Sequence, residues 1–144
     1  MNHNQTYIQQ EEVKNSWYII DAKEKKLGRL STQIANILRG KHEKNYSTNI
    51  NHKNYIILIN SKYIIVTGQK STQKLYKRHS GKPGSMKIET FNELQQRIPN
   101  RIIEKAIKGM LPKGRLGRKL FNQIKIYEEE NHQHNAQQPT AIIL

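Results

Sequence analysis

The chain is 144 residues long, room for one ordinary domain with its own core but not for two large ones. Its 25 Lys and Arg face 11 Asp and Glu, a formal charge of +14 that makes a compact domain repel itself unless a polyanion neutralises it, so a nucleic acid or an anionic membrane surface is the expected partner. The absence of cysteine excludes disulfides, thiolate zinc sites and cysteine nucleophiles, and the longest apolar run, Tyr55 to Ile59, falls far short of the roughly 20 residues that cross a bilayer.

Residues 1–15 are polar and aperiodic and read as a loosely held N-terminal arm. They carry two glutamates and no apolar block, and resemble neither a secretory signal nor an Arg-rich transit peptide. An α/β domain is expected over residues 16–128. It opens with WYIID from Trp17, a β-branched and aromatic run that suits a buried strand. In KLGRLSTQIANILRGKH, Leu27, Leu30, Ile34, Ile37 and Leu38 recur at helical spacing, and Gly40 offers a left-handed stop. YIILI (55–59) and YIIV (63–66) are near-continuous apolar runs, as in a parallel sheet covered on both faces. Only NSK separates them, too short for a parallel crossover; either they form a hairpin, or one belongs to the connection.

Residues 67–89 are rich in Gly, Ser and Lys and read as a surface excursion, with KLYKRH as its extended candidate. TFNE matches a capping box, Thr90 accepting from the helix backbone while Glu93 reaches back, and Pro99 marks the end of that helix and the start of another. In the second helix Ile102, Ile103, Ala106, Ile107, Met110 and Leu111 form one apolar stripe, with Arg101, Glu104, Lys105 and Lys108 outside it. IKIYE supplies a last short strand with Ile124 and Ile126 on one face. Residues 129–144 read as a polar C-terminal tail without a core-forming period.

The segment GMLPKGRLGRKLF, residues 109–121, gathers three glycines, a proline and four cations. It approaches the phosphate-cradling pattern G-x-x-x-x-G-K-[ST] but fails it twice: Arg115 stands where the lysine belongs and Leu116 where the hydroxyl belongs. It also follows a helix instead of a strand. The reading in its favour is an extended, glycine-hinged segment that lays Lys113, Arg115, Arg118 and Lys119 against a phosphate backbone. A solvated basic loop is the bland alternative. Two further basic clusters weigh against it: Arg39, Lys41 and His42 after the first helix, and Lys74, Lys77, Arg78, His79 and Lys82 around Gly81 and Gly84. Between these cations Tyr76 either stacks on a base or packs its ring inward. The pair His132 and His134 lacks the further ligands that a metal requires. Ser80, His79 and Glu89 hold the residue types of a hydrolytic triad without its geometry.

Taken in order, WYIIDA, LGRLSTQIANILRGKH, YIILIN, VTGQK, YKRHSGKPG, AIKGMLPKGRLGRKLF and NHQHNAQQP resemble the L-thirteen family of large-subunit ribosomal proteins in its bacterial and organellar form. The resemblance covers about residues 16–139. It implies an α/β fold, three-layer α/β/α around a small, mainly parallel central sheet with basic extensions. The implied role is a structural constituent of the large ribosomal subunit that binds its ribosomal RNA and supports early assembly beside neighbouring ribosomal proteins, with no enzymatic activity, cofactor, metal, membrane or small-molecule substrate. The implied RNA contacts are Arg29, Arg39, Lys41, His42, Lys70, Lys77, Arg78, His79, Lys82, Lys113, Arg115, Arg118 and Lys119. Arg115 stands where the family often has an apolar residue or proline. The alternative function is a free-standing RNA-binding regulatory protein. Eighteen lysines, twenty isoleucines and fourteen asparagines, all encoded by AT-rich codons, fit a plastid ribosome, with the bacterial cytoplasm as the alternative.

Overall fold

Six residues in period two, Ser16–Asp21, make strand β1 of the computed structural model, which describes residues 15–144; apart from Asn15, the expected N-terminal arm lies outside the described residues. Helix α1 follows over Leu27–Leu38 and buries Leu27, Leu30, Ile34 and Leu38. Gly40 then turns the chain with φ of +70°, the left-handed conformation that a glycine adopts without steric cost. Strand β2, Asn54–Ile59, lies parallel to β1 in a register that pairs Tyr18 with Ile56 and Ile20 with Leu58.

The second apolar run forms no hairpin with β2. A 3-10 turn at Ser61–Tyr63 leads instead to a single parallel bridge between Ile65 and Lys26, so this run belongs to the connection. A short helix α2, Lys70–Gln73, precedes an antiparallel hairpin of β3, Leu75–His79, and β4, Met86–Thr90. Helix α3, Phe91–Arg97, starts at the capping box: the Glu93 backbone N–H donates to Thr90 Oγ1 and the Thr90 N–H to the Glu93 carboxylate. Helix α4 runs over Pro99–Met110, with proline at its first position, where no N–H is needed. Its Ile102, Ile103 and Ile107 are fully buried, whereas Met110, expected in the same stripe, is 40% exposed at the helix end. Helix α5, Arg115–Asn122, and strand β5, Ile124–Ile126, follow. The polar tail ends in a two-residue strand, β6, Thr140–Ala141, after a 3-10 turn at Asn135–Gln137.

The main sheet has the order β5-β2-β1-β6, and each neighbouring pair is parallel. Its alternation defines two faces. Ile20, Ile56, Leu58 and Ile124 pack with α1 and α4 in one core cluster. Trp17 and Tyr55 project to the other face and stack at 4.5 Å. The chain steps one way across the sheet from β1 through β2 to β5 and must then return from one edge to the other. Right-handed crossovers put that return on the face opposite the helices. His134, in the return segment, meets Trp17 at 5.4 Å and Tyr127 at 6.0 Å. The expected three-layer α/β arrangement around a mainly parallel sheet is therefore present, with a short 3-10 helical return as its thinner outer layer.

Candidate nucleic-acid interface

Three basic segments, separate in sequence, are set by different local devices. The first is the corner after α1. His52 is 3% exposed and its ring lies where a side chain on Gly40 would go: a Cβ there would stand 2.4 Å from the imidazole. His52 Nδ1 donates to Glu43 Oε2 at 3.0 Å, and Asn54 Nδ2 donates to Glu43 Oε1 at 2.8 Å and to the Ile37 carbonyl at 3.0 Å. The carboxylate thereby ties the turn to the start of β2, and the Asn54 amide ties both to the end of α1. Arg39, Lys41 and His42 ride on this turn; Arg39 donates to the Tyr46 hydroxyl at 3.2 Å, and His42 lies edge-on to Tyr18 and 3.9 Å from Glu43. Arg29 is not part of the corner. It occupies the first turn of α1, ten residues and about 15 Å of helix from Arg39.

The second segment is the hairpin. Lys77 and His79 share one face and Arg78 takes the other with Tyr76, because successive strand residues alternate. Lys82 sits in the turn with Gly81 and Gly84, whose φ values are +95° and +74°. Lys70 lies on α2, before the hairpin. Tyr76 packs its ring inward against the core cluster, and burial raises its phenol above the ordinary 10.0. The ammonium groups of Lys105 and Lys74 lie 5.0 and 5.5 Å from its ring centre. Between the hairpin and the α3–α4 pair runs a cleft of about 500 Å³, floored by Leu94 and Ile98 and rimmed by Arg78, Lys87 and Lys105. Two of its other cations are already engaged: Arg97 Nη2 donates to both Glu89 oxygens at 2.7 and 2.8 Å, and Arg101 pairs with Glu104 at 3.3 Å.

The third segment corrects an expectation. Residues 109–121 are not one extended, glycine-hinged strip; the chain bends over 111–114 and enters helix α5. The reason lies in Gly117, where a Cβ would stand 1.7 Å from the Pro112 carbonyl oxygen. A glycine there lets the helix close on the bend, while Leu116 and Leu120, four residues apart, turn inward. Arg115, Arg118 and Lys119 consequently sit at helical spacing on the exposed stripe, with Lys113 just ahead of it.

These segments adjoin. A crevice lined by Arg39, Tyr46, Pro112, Leu116 and Leu120 joins the corner to α5. Lys105, at the cleft, and Lys108, at a groove beside α5, lie one turn apart on α4 and link the hairpin side to the α5 side. Among the described residues none of the expected lysine and arginine contacts is paired with a carboxylate. Lys87, Lys105 and Lys108 also line these openings, although they were not among the expected contacts. The polar face of α4 carried the signal for the two on that helix, and Lys87 has none beyond its charge.

The residues considered for chemistry are engaged elsewhere. Ser80 Oγ lies 2.5 Å from Ser85 Oγ, His79 Nδ1 accepts from the Gly81 N–H at 2.9 Å, and Glu89 holds Arg97. No group of three or more His, Cys, Asp or Glu with metal-holding geometry occurs among the described residues, and none of their helices is long and apolar enough to cross a membrane.

Comparison with known proteins fits this cationic α/β architecture. The chain is 55% identical over 136 residues to large ribosomal subunit protein uL13c of Porphyra purpurea, covering 94% of this chain and 96% of that one. The uL13c of Gracilaria tenuistipitata var. liui is 57% identical over 139 residues, 96% and 97% of the two chains. Large ribosomal subunit protein uL13 of Synechococcus elongatus is 51% identical over 140 residues, 96% and 93%. The class is that of the structural proteins of the large ribosomal subunit. Within it, residues 15–133 match the model of ribosomal protein L13, and the chain belongs to that family.

Proposed function

We propose that this protein binds large-subunit ribosomal RNA through the joined cationic surface of the corner, α5 and the hairpin, and that it supports early assembly of the subunit beside neighbouring ribosomal proteins. The observation that carries the reading is the convergence of lysines and arginines without carboxylate partners from segments remote in sequence, two of them fixed by close packing at Gly40 and Gly117. Exposed charges that served only solubility would have no need of such fixing. Arg39, Lys41, His42, Lys113, Arg115, Arg118 and Lys119 form one side of the surface; Lys70, Lys77, Arg78, His79 and Lys82 form the other, and Arg29 is an outlying contact. The phosphate backbone supplies the affinity, and RNA shape supplies the choice of site.

Two of the relatives come from red algae and one from a cyanobacterium, which supports a plastid ribosome as the place of action, with the bacterial cytoplasm as the alternative. Changing Lys113, Arg118 and Lys119 together to alanine is expected to lower incorporation into large-subunit precursors severalfold, read by sedimentation of tagged protein, with little change in melting temperature. Incorporation equal to wild type would count against the surface. Native protein found mainly in free fractions would favour the free-standing regulatory alternative.

A further inference from the structure

Between the end of α4 and the flank of α5 lies a groove of about 490 Å³, within the range of cavities that hold small molecules. Its apolar lining is Leu111, Pro112 and Phe121, with Gly117 beside them. Its rim is cationic: Lys108, Lys113 and Arg118. No carboxylate lines it, in contrast to the larger cleft at Tyr76, where Glu89 and Glu104 already hold arginines. Phe121 packs partly against the core while the rest of its ring lines the groove, and Lys108 Nζ lies 5.8 Å from the ring centre. Gly117 carries no side chain, so α5 closes on the Pro112 carbonyl and holds Lys113 and Arg118 on the same groove.

An aromatic floor beside three cations and no carboxylate asks for a flat apolar group with an anion attached. A nucleotide has that form: its base stacks on a ring and its phosphate meets lysine and the guanidinium fork. A base still paired inside a helix presents no face to stack upon, so the nucleotide has to be splayed out of its strand, as in loops and bulges. We infer that this groove receives one extruded ribosomal RNA nucleotide, its base against Phe121 and its phosphate between Lys113 and Arg118. The inference rests on the RNA-binding reading and makes one part of that surface selective for an unpaired nucleotide instead of for backbone charge alone.

The test is base-by-base chemical modification of RNA in large subunits assembled with wild type, Phe121→Leu or Phe121→Tyr. Phe121→Leu is expected to raise the reactivity of one base about tenfold, as befits the loss of one stacking contact, while the backbone footprint of the rest of the protein persists. Phe121→Tyr, which keeps the ring, is expected to retain the protection. A photo-crosslinking benzophenone side chain at exposed Asn122, on the groove wall of an otherwise wild-type protein, gives a second readout that spares the core. A crosslink to a nucleobase supports the inference; a crosslink to another protein, or none, overturns it. Unchanged base reactivity in Phe121→Leu beside an intact backbone footprint also overturns it and leaves RNA binding standing. A wild-type protein with no RNA footprint anywhere defeats the underlying reading.

Discussion

Gly117 shows how a single residue decides the shape of the basic surface. Its missing side chain is filled by a backbone carbonyl, which cannot swing away as a flexible side chain would. Gly117→Ala is therefore expected to destabilise the protein by about 1–3 kcal/mol, the usual cost of overpacking, or by more if α5 detaches. Denaturant unfolding measures it; a loss below about 0.5 kcal/mol would mean that the bend relaxes freely. Gly40 works in the opposite sense, since what occupies its vacant position is the His52 ring, a side chain held in turn by Glu43. In both cases the sequence displays a glycine and hides its neighbour. Three glycines within residues 109–121 suggested an open strip, because a residue's own freedom is visible in its type whereas the atom that approaches it is not.

At the scale of elements, legibility followed the amount of apolar surface each one buries. Helix α1 and the buried part of α4 were plain because their isoleucines and leucines recur at helical spacing. The capping box of α3 was plain because two side chains satisfy two backbone donors at a fixed interval. That box joins β4 directly to α3, so its loss is felt in both. Thr90→Ala is expected to cost about 1 kcal/mol, read as a lowered denaturation midpoint, with Thr90→Ser restoring most of it. Strand β6 was invisible because two exposed residues carry no period; its pairing depends on the vacant edge of β1. The connection at 61–66 looked like a strand because Ile64 fills the core and Ile65 makes its one bridge to Lys26. Apolar content without a partner ladder is not a strand, and that partner lies outside any local window.

For the whole molecule, the net charge announced a polyanionic partner, while the fold determined which cations stand together. Arg29 and Arg39 stand near the two ends of one helix and end up apart; Arg39 and Leu116 are remote in the chain and line one crevice. If phosphates are the partner, each neutralised contact releases counterions, and the logarithm of affinity falls linearly with the logarithm of salt. A titration of RNA binding against salt is expected to lose about three units of slope in the triple alanine variant of Lys113, Arg118 and Lys119, close to one per phosphate contact. An unchanged slope would place those three residues away from the backbone.

Strand β1 sits between β2 and β6, so its second hydrogen-bonding edge is covered only when Thr140 and Ala141 arrive. A polypeptide synthesised amino end first thus holds an unfinished seam until residue 140 is made, and an unpaired edge is where foreign strands attach. Thr140 and Ala141 act as a clasp on a strand made far earlier, so a chain broken off before them would leave that edge of β1 without its fastening.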